Sequence, residues 1–194
     1  MKKISILLFL IFQQTFSQNL DIRRSYEISF CGKPQTIKLI EYQNGFVEGF
    51  LETKLTRKVL RKRKEIINKT SFDNVLVKKL MLDLKNSGIE TLKKCNEDLD
   101  CHSICFLDGD SLSFNIQIDS INKQAYFSEI YPESQTKEQI EKTELRRKVQ
   151  ILITIIDKEI NLEKQFSDLI KGLKEGTYCY WTGISKVCII HEEI

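Results

Sequence analysis

The chain has 194 residues, with 30 Lys and Arg against 27 Asp and Glu for a formal charge of +3. That near balance argues against a strongly basic nucleic-acid binder. The length suffices for a hydrophobic core, so the six cysteines supplement a core and do not replace one.

Two lysines, Lys2 and Lys3, precede an apolar run over 4–12 broken only by Ser5, and a polar stretch then ends at Thr15-Phe16-Ser17. Small residues at positions 15 and 17 suit the pockets of a signal peptidase. Residues 1–17 are therefore expected to be a cleaved signal peptide, and 18–194 a single mature domain beginning at Gln18. The run is too short to span a bilayer, and no transmembrane segment is expected after cleavage. Loss of Lys2 and Lys3, with no acid in 1–17, leaves a formal charge of +1. The leader, ending Phe16-Ser17-Gln18-Asn19, resembles those of secreted Bacteroidetes proteins, which implies an exported bacterial protein, periplasmic or extracellular. In that compartment an even cysteine count reads as disulfides.

Apolar and polar residues alternate over 25–31 and 35–42, as in half-buried strands. Asn44-Gly45 follows, and then a third such run over 46–55. Asn-Gly between alternating runs predicts a hairpin closed by a two-residue type I′ turn. Residues 54–64 carry the densest positive charge, Lys54, Arg57, Lys58, Arg61, Lys62, Arg63 and Lys64, on either a strand or a short helix. Residues 68–73 read as a helix entry, after which Leu76, Leu80 and Leu84 form one stripe beside Val77 and Met81. Gly88 ends this helix, expected over 73–87, and Ile89 packs back on its last turn.

A cysteine-rich connection over 95–105 leads through Asp108-Gly109 into a strand. Leu112, Phe114, Ile116 and Ile118 lie on one face of it, and Ser111, Ser113, Asn115 and Gln117 on the other. A turn at 120–123 and a returning strand over 124–131, stopped by Pro132, complete a hairpin. Thr136 and Gln139 have capping-box spacing, so a long helix is expected over 137–173, interrupted near Asn161. The β-branched segment 149–156 alternatively reads as a buried strand.

The closing element contains Cys179 and Cys188. If they oppose each other in a hairpin, Trp181 faces Lys186, Thr182 faces Ser185, and Gly183-Ile184 make the turn, with glycine first as a type II′ turn requires. Cysteine spacing and turn chemistry agree on one register, so a structural disulfide is expected. The predicted fold is α+β: antiparallel hairpins packed with two main helices and closed by this stapled hairpin.

Cys95, Cys101, His102 and Cys105 could offer zinc three sulfurs and a nitrogen. Their spacing is not that of a zinc ribbon or finger, and disulfides are the preferred reading, Cys95–Cys101 with Cys31–Cys105 as the remaining pair. Glu97, Asp98, Asp100, Asp108 and Asp110 crowd the same segment without an EF-hand pattern and read as solvated loop residues. His102 and His191 are the two histidines, and no nucleophile elbow, zincin helix, Walker loop or dinucleotide fingerprint occurs. No catalytic residue, cofactor or metal is assigned.

Two candidate binding surfaces remain. The basic run, with Arg61, Lys62, Arg63 and Lys64 at its end, suits an acidic protein or an anionic envelope component. It lacks the aromatic interleaving that stacks single-stranded nucleic acid. The stapled turn carries Tyr180, Trp181 and Ile184, residue types that anchor interfaces. The expected function is that of an exported non-enzymatic binding protein of the inhibitor, immunity or envelope-associated kind. The alternatives are a small secreted hydrolase working through carboxylates, and a zinc- or thiol-dependent protein using Cys95, Cys101, His102 and Cys105.

Overall fold

The structure, a computed structural model, describes residues 21–59, 62–104, 106, 109–136, 141–183 and 185–192. The leader, Arg61, Cys105, Asp108, Gln139 and Ile184 lie outside that set. The described chain begins as an antiparallel meander of β1 (Ile22–Ser29), β2 (Gln35–Tyr42), β3 (Val47–Val59) and β4 (Lys62–Ser71). The hairpin between β2 and β3 is present, but its turn is not the two-residue type I′ form. Tyr42 pairs with Phe46 across a three-residue loop, Gly45 N–H donates to the Tyr42 carbonyl at 2.9 Å, and only Gly45 has positive φ, at 79°. The register explains the difference. Glu41 opposes Val47 and Leu39 opposes Gly49, so Ile37, Leu39, Val47 and Leu51 share one face. A two-residue loop would shift the pairing by one and turn half of that apolar set to the other side.

The basic run 54–64 is strand on both sides of residues 60 and 61, because Lys58 opposes Arg63 and Thr53 opposes Asn68 in the β3–β4 ladder. Residues 68–71, expected as a helix entry, instead complete β4, and the helix begins only at its cap. The Asp73 carboxylate accepts from Leu76 N–H at 2.9 Å, satisfying one of the orphan donors of the first turn. Helix α1 (Asn74–Asn86) then buries Val77, Leu80, Met81 and Leu84, and Gly88 follows in the left-handed conformation at φ 82°. Gly49 lets α1 approach the sheet. A Cβ there would stand 2.8 Å from Val77 Cγ2 and 2.9 Å from Leu39 Cδ2.

Two short 3-10 turns and the one-turn helix α2 (Leu99–His102) lead to β5 (Ser111–Ile118) and β6 (Ile121–Ser128). Their turn is Asp119-Ser120 and not 120–123, with Ile118 opposite Ile121. The tighter turn keeps Phe114 opposite Ala125 and Leu112 opposite Phe127, all four in the core. Residues 137–140, where the sequence places the start of the long helix, lie outside the described set; the helix described begins at Glu144, and just before it the Glu141 N–H donates to the Gln150 side chain at 3.0 Å. Helix α3 (Glu144–Ile160) spans the whole of 149–156, so the strand alternative for that segment fails. Asn161, at φ 52°, ends α3 and starts α4 (Leu162–Lys171), its side chain accepting from Lys164 N–H at 2.9 Å. Strands β7 (Gly176–Trp181) and β8 (Lys186–His191) close the described chain.

The strands form one antiparallel sheet in the order β6-β5-β1-β2-β3-β7-β8, with β4 also paired to β3. Tyr26, Ile28, Ile37, Leu39, Leu51 and Phe114 point to one side, where Leu80 and Leu84 of α1 and Val149, Leu152 and Ile156 of α3 bury them. The other side is polar and carries ion pairs such as Lys54–Glu52 at 2.8 Å and Lys69–Glu52 at 3.1 Å. The fold is thus α+β, a helix layer on one face of a curled sheet.

Candidate functional site

Strand β3 organises the site. Along its first half one edge pairs with β2 as far as Thr53↔Gln35, and after Lys54 N–H donates to the Pro34 carbonyl at 3.0 Å β2 has ended. Farther along, at Thr56–Lys58, the same edge is taken over by β7, while β4 occupies the opposite edge from Phe50 to Val59. The sheet therefore forks, with β1–β2 and β7–β8 as its two tines. A cleft of about 340 Å³ lies at the crotch, lined among others by Ser29, Thr36, Lys54, Glu65 and Trp181. The Ser29 and Thr36 hydroxyls hydrogen-bond to each other at 2.9 Å, and Lys54 is held above the ordinary lysine range by its hydrogen bond and ion pair with Glu52.

The second tine has the expected register. Cys179 opposes and is bridged to Cys188, with Cα atoms 4.0 Å apart, and Trp181 opposes Lys186. Thr182 N–H donates to the Ser185 carbonyl at 2.9 Å, and Gly183 has φ 118°. Strand alternation separates the three aromatic residues. Tyr178 is buried under the Arg57 guanidinium, 5.7 Å from its ring centroid. Tyr180 faces the same way and packs edge-to-face on Phe166 of α4 at 5.7 Å, so it is a packing residue more than an exposed anchor. Burial, and then the charge of Asp110, push its hydroxyl above the usual tyrosine range. Trp181 points to the open face and is 65% exposed.

Alternation also divides the basic run. Arg57 opposes Lys64 on the helix side, whereas Lys58 opposes Arg63 on the open side. Thr177 lies opposite Lys58 across β7, so Lys58, Arg63, Lys186 and Trp181 share one face. Lys186 is held below the ordinary lysine range, first by desolvation and then by the charges of Arg63 and Lys58. No acidic side chain forms an ion pair with these three cations among the described residues. The basic run and the stapled hairpin, read from the sequence as separate candidates, are one surface. Lys186 was missed because its partners stand more than a hundred positions away and only the β3–β7 pairing brings them together.

The other cysteines are accounted for differently. Cys95 and Cys101 are bridged across α2, Cα to Cα 5.2 Å, so a zinc site on them would first need that bridge reduced. Neither of those sulfurs nor His102 joins a group of three or more ligating side chains among the described residues. The expected Cys31–Cys105 bridge is not formed. Cys31 is a free, buried thiol whose Sγ–H donates to the Asp110 carbonyl at 3.5 Å. Burial, with the Glu129 and Asp110 charges adding to it, pushes this thiol up to about 12, which leaves almost no thiolate at neutral pH. Alkylation of the native protein is therefore expected to leave Cys31 unmodified, with labelling on denaturation; rapid native labelling would show the thiol to be reactive.

Asp110 and Glu129 form a carboxylate pair, both within reach of the Tyr131 hydroxyl, at 3.0 and 2.9 Å. Asp110 N–H also donates to Glu129, so this group clasps the start of β5 to the end of β6. No described helix is long and apolar enough to cross a membrane. No protein-family model, curated protein or solved structure matches the chain.

Proposed function

We propose that the protein is an exported, non-enzymatic binding protein whose open fork face receives an anionic partner, an acidic protein or an anionic envelope component. The observation that carries this reading is the placement of Lys58, Arg63 and Lys186 on one face of the sheet with the exposed Trp181 ring, which lies directly opposite Lys186. Unpaired cations steer an acidic partner to the face, and a large apolar ring held by a rigid hairpin then supplies contact area at low ordering cost. The two disulfides suit an oxidising compartment. A binding protein is favoured over the enzyme alternatives because His102 and His191 make no hydrogen bond to a nucleophile among the described residues, and the Cys31 thiol is buried.

Capture from envelope and medium fractions on immobilised protein tests this. Trp181→Ala is expected to weaken capture by more than about 1 kcal/mol, roughly fivefold, with an unchanged melting temperature. Lys58→Glu with Arg63→Glu is expected to abolish the salt-sensitive part of the binding. Capture indifferent to both variants would remove the site from this face.

A further inference from the structure

Beyond the fork face, the free edge of β8 is arranged for a second copy of this chain. Among the described residues, strand β8 is hydrogen-bonded to β7 alone. Thr182 N–H bonds to the Ser185 carbonyl across the turn, and hydrogen-bonded and non-hydrogen-bonded pairs alternate from there along the hairpin. Trp181–Lys186, Cys179–Cys188 and Thr177–Ile190 are therefore the non-bonded pairs. The 4.0 Å Cα separation of the two cysteines agrees with this. It follows that the N–H and C=O groups of Lys186, Cys188 and Ile190 point away from β7, toward open solvent. An edge of this kind is a template for another strand unless something blunts it.

The free edge of β4 is blunted by charge, with Lys62, Arg63, Lys64, Glu65 and Lys69 in one strand. Two copies meeting there would bring like charges together. The β8 edge has no such protection: Val187, Cys188, Ile189 and Ile190 run uncharged through its middle, and Ile190 is 70% exposed. Its charges stand at opposite ends, Lys186 at the start and Glu192 one residue past the finish.

We propose that two copies pair antiparallel through β8 about a two-fold axis at Ile189, setting Lys186 of each against Glu192 of the other. In this register Cys188 faces Ile190 of the second copy, and Ile189 faces its own equivalent. The outward groups of Lys186, Cys188, Ile190 and Glu192 then meet as bonded pairs, about eight backbone hydrogen bonds in all. The carboxylate of the second copy reaches a lysine that Arg63 and Lys58 otherwise crowd. Both ends of the strand are complementary at once, which is what a two-fold contact requires, and the contact closes on itself. A six-residue edge buries little area, so the dimer is weak and forms as concentration rises.

Sedimentation of the whole mature protein from the micromolar to the near-millimolar range tests the assignment. The wild type is expected to move from monomer to dimer and to stop there. Ile190→Pro removes an outward N–H that the β7–β8 ladder does not use. It is expected to weaken dimerisation at least about tenfold with an unchanged circular dichroism spectrum. Ile190→Lys serves the same purpose if the proline variant does not fold. Lys186→Glu and Glu192→Lys should each weaken the dimer, and the two together should restore it, since the pair is exchanged and not lost. A wild type monomeric throughout, growth beyond the dimer, a dimer indifferent to both Ile190 variants, or a charge swap that fails to restore pairing would each overturn the proposal. The fork-face reading does not depend on the outcome, because capture at high dilution reads the monomer.

Discussion

Arg146→Met is expected to lower the free energy of unfolding by about 3–5 kcal/mol. The side chain is 3% exposed, and its guanidinium joins three segments. Nε and Nη2 donate to the two Glu141 oxygens at 2.6 and 2.8 Å. Nη1 donates to the Ser128 carbonyl at 3.0 Å and Nη2 to the Glu129 carbonyl at 3.2 Å. Phe106 lies against its flat face, 5.2 Å from ring centroid to guanidinium carbon. The arginine thus fixes the exit of β6, where Glu129 has φ 55°, and the chain just before α3. Methionine fills the volume but leaves a half-buried carboxylate and two carbonyls without donors, and the penalty comes chiefly from those orphaned groups. The cycle with Glu141→Gln distinguishes this from simple loss of packing. Denaturant unfolding should show the double variant far less destabilised than the sum of the singles. Additive losses would mean that the two side chains act independently.

Replacing Cys179 and Cys188 together by alanine is expected to cost about 2.5 kcal/mol by loop-closure entropy for so small a ring. It should weaken partner capture as well. Among the described residues the hairpin pairs with β3 through Thr56–Cys179, Arg57–Tyr178 and Lys58–Thr177 and is held at its tip by the Ser111 N–H on the Thr182 carbonyl at 3.3 Å, so the bridge adds to a short set of constraints on where Trp181 and Lys186 sit. Reducing the wild type should reproduce both effects. Removal of the Cys95–Cys101 bridge, by contrast, should leave capture intact, because that link spans only the turn around α2. Equal capture by bridged and unbridged hairpins would show that the fork face needs no preorganisation.

What could be read from the sequence follows the range of the interactions involved. The apolar stripe of α1, the alternation of β5 and the register of the stapled hairpin are each written within about a dozen neighbouring residues, and these agree with the structure. The turns at Gly45 and Asp119 were misjudged for a different reason. Their length is decided by which face the two flanking strands must share, a demand of the core that Asn-Gly alone does not express. Just before α3 the Glu141 N–H donates to the Gln150 side chain, a contact nine positions long that no local capping pattern expresses. For the site, the residue types were legible but their faces were not. Tyr180 and Trp181 look alike as neighbours in sequence, yet one packs on Phe166 and the other is 65% exposed on the open face.

The fork also bears on the order in which the molecule folds. Strands β1 to β4 pair with their neighbours in sequence, whereas the Thr56–Cys179 contact closes a loop of roughly 120 residues. Local hairpins form quickly, and long loops close late, after the rest of the sheet has made the docking edge. A molecule whose first tine and helices are in place but whose 176–191 segment has not yet docked is therefore the natural late intermediate. Such a species already has most of its core but only the Lys58–Arg63 half of its fork face, so acquisition of affinity should trail acquisition of structure in time.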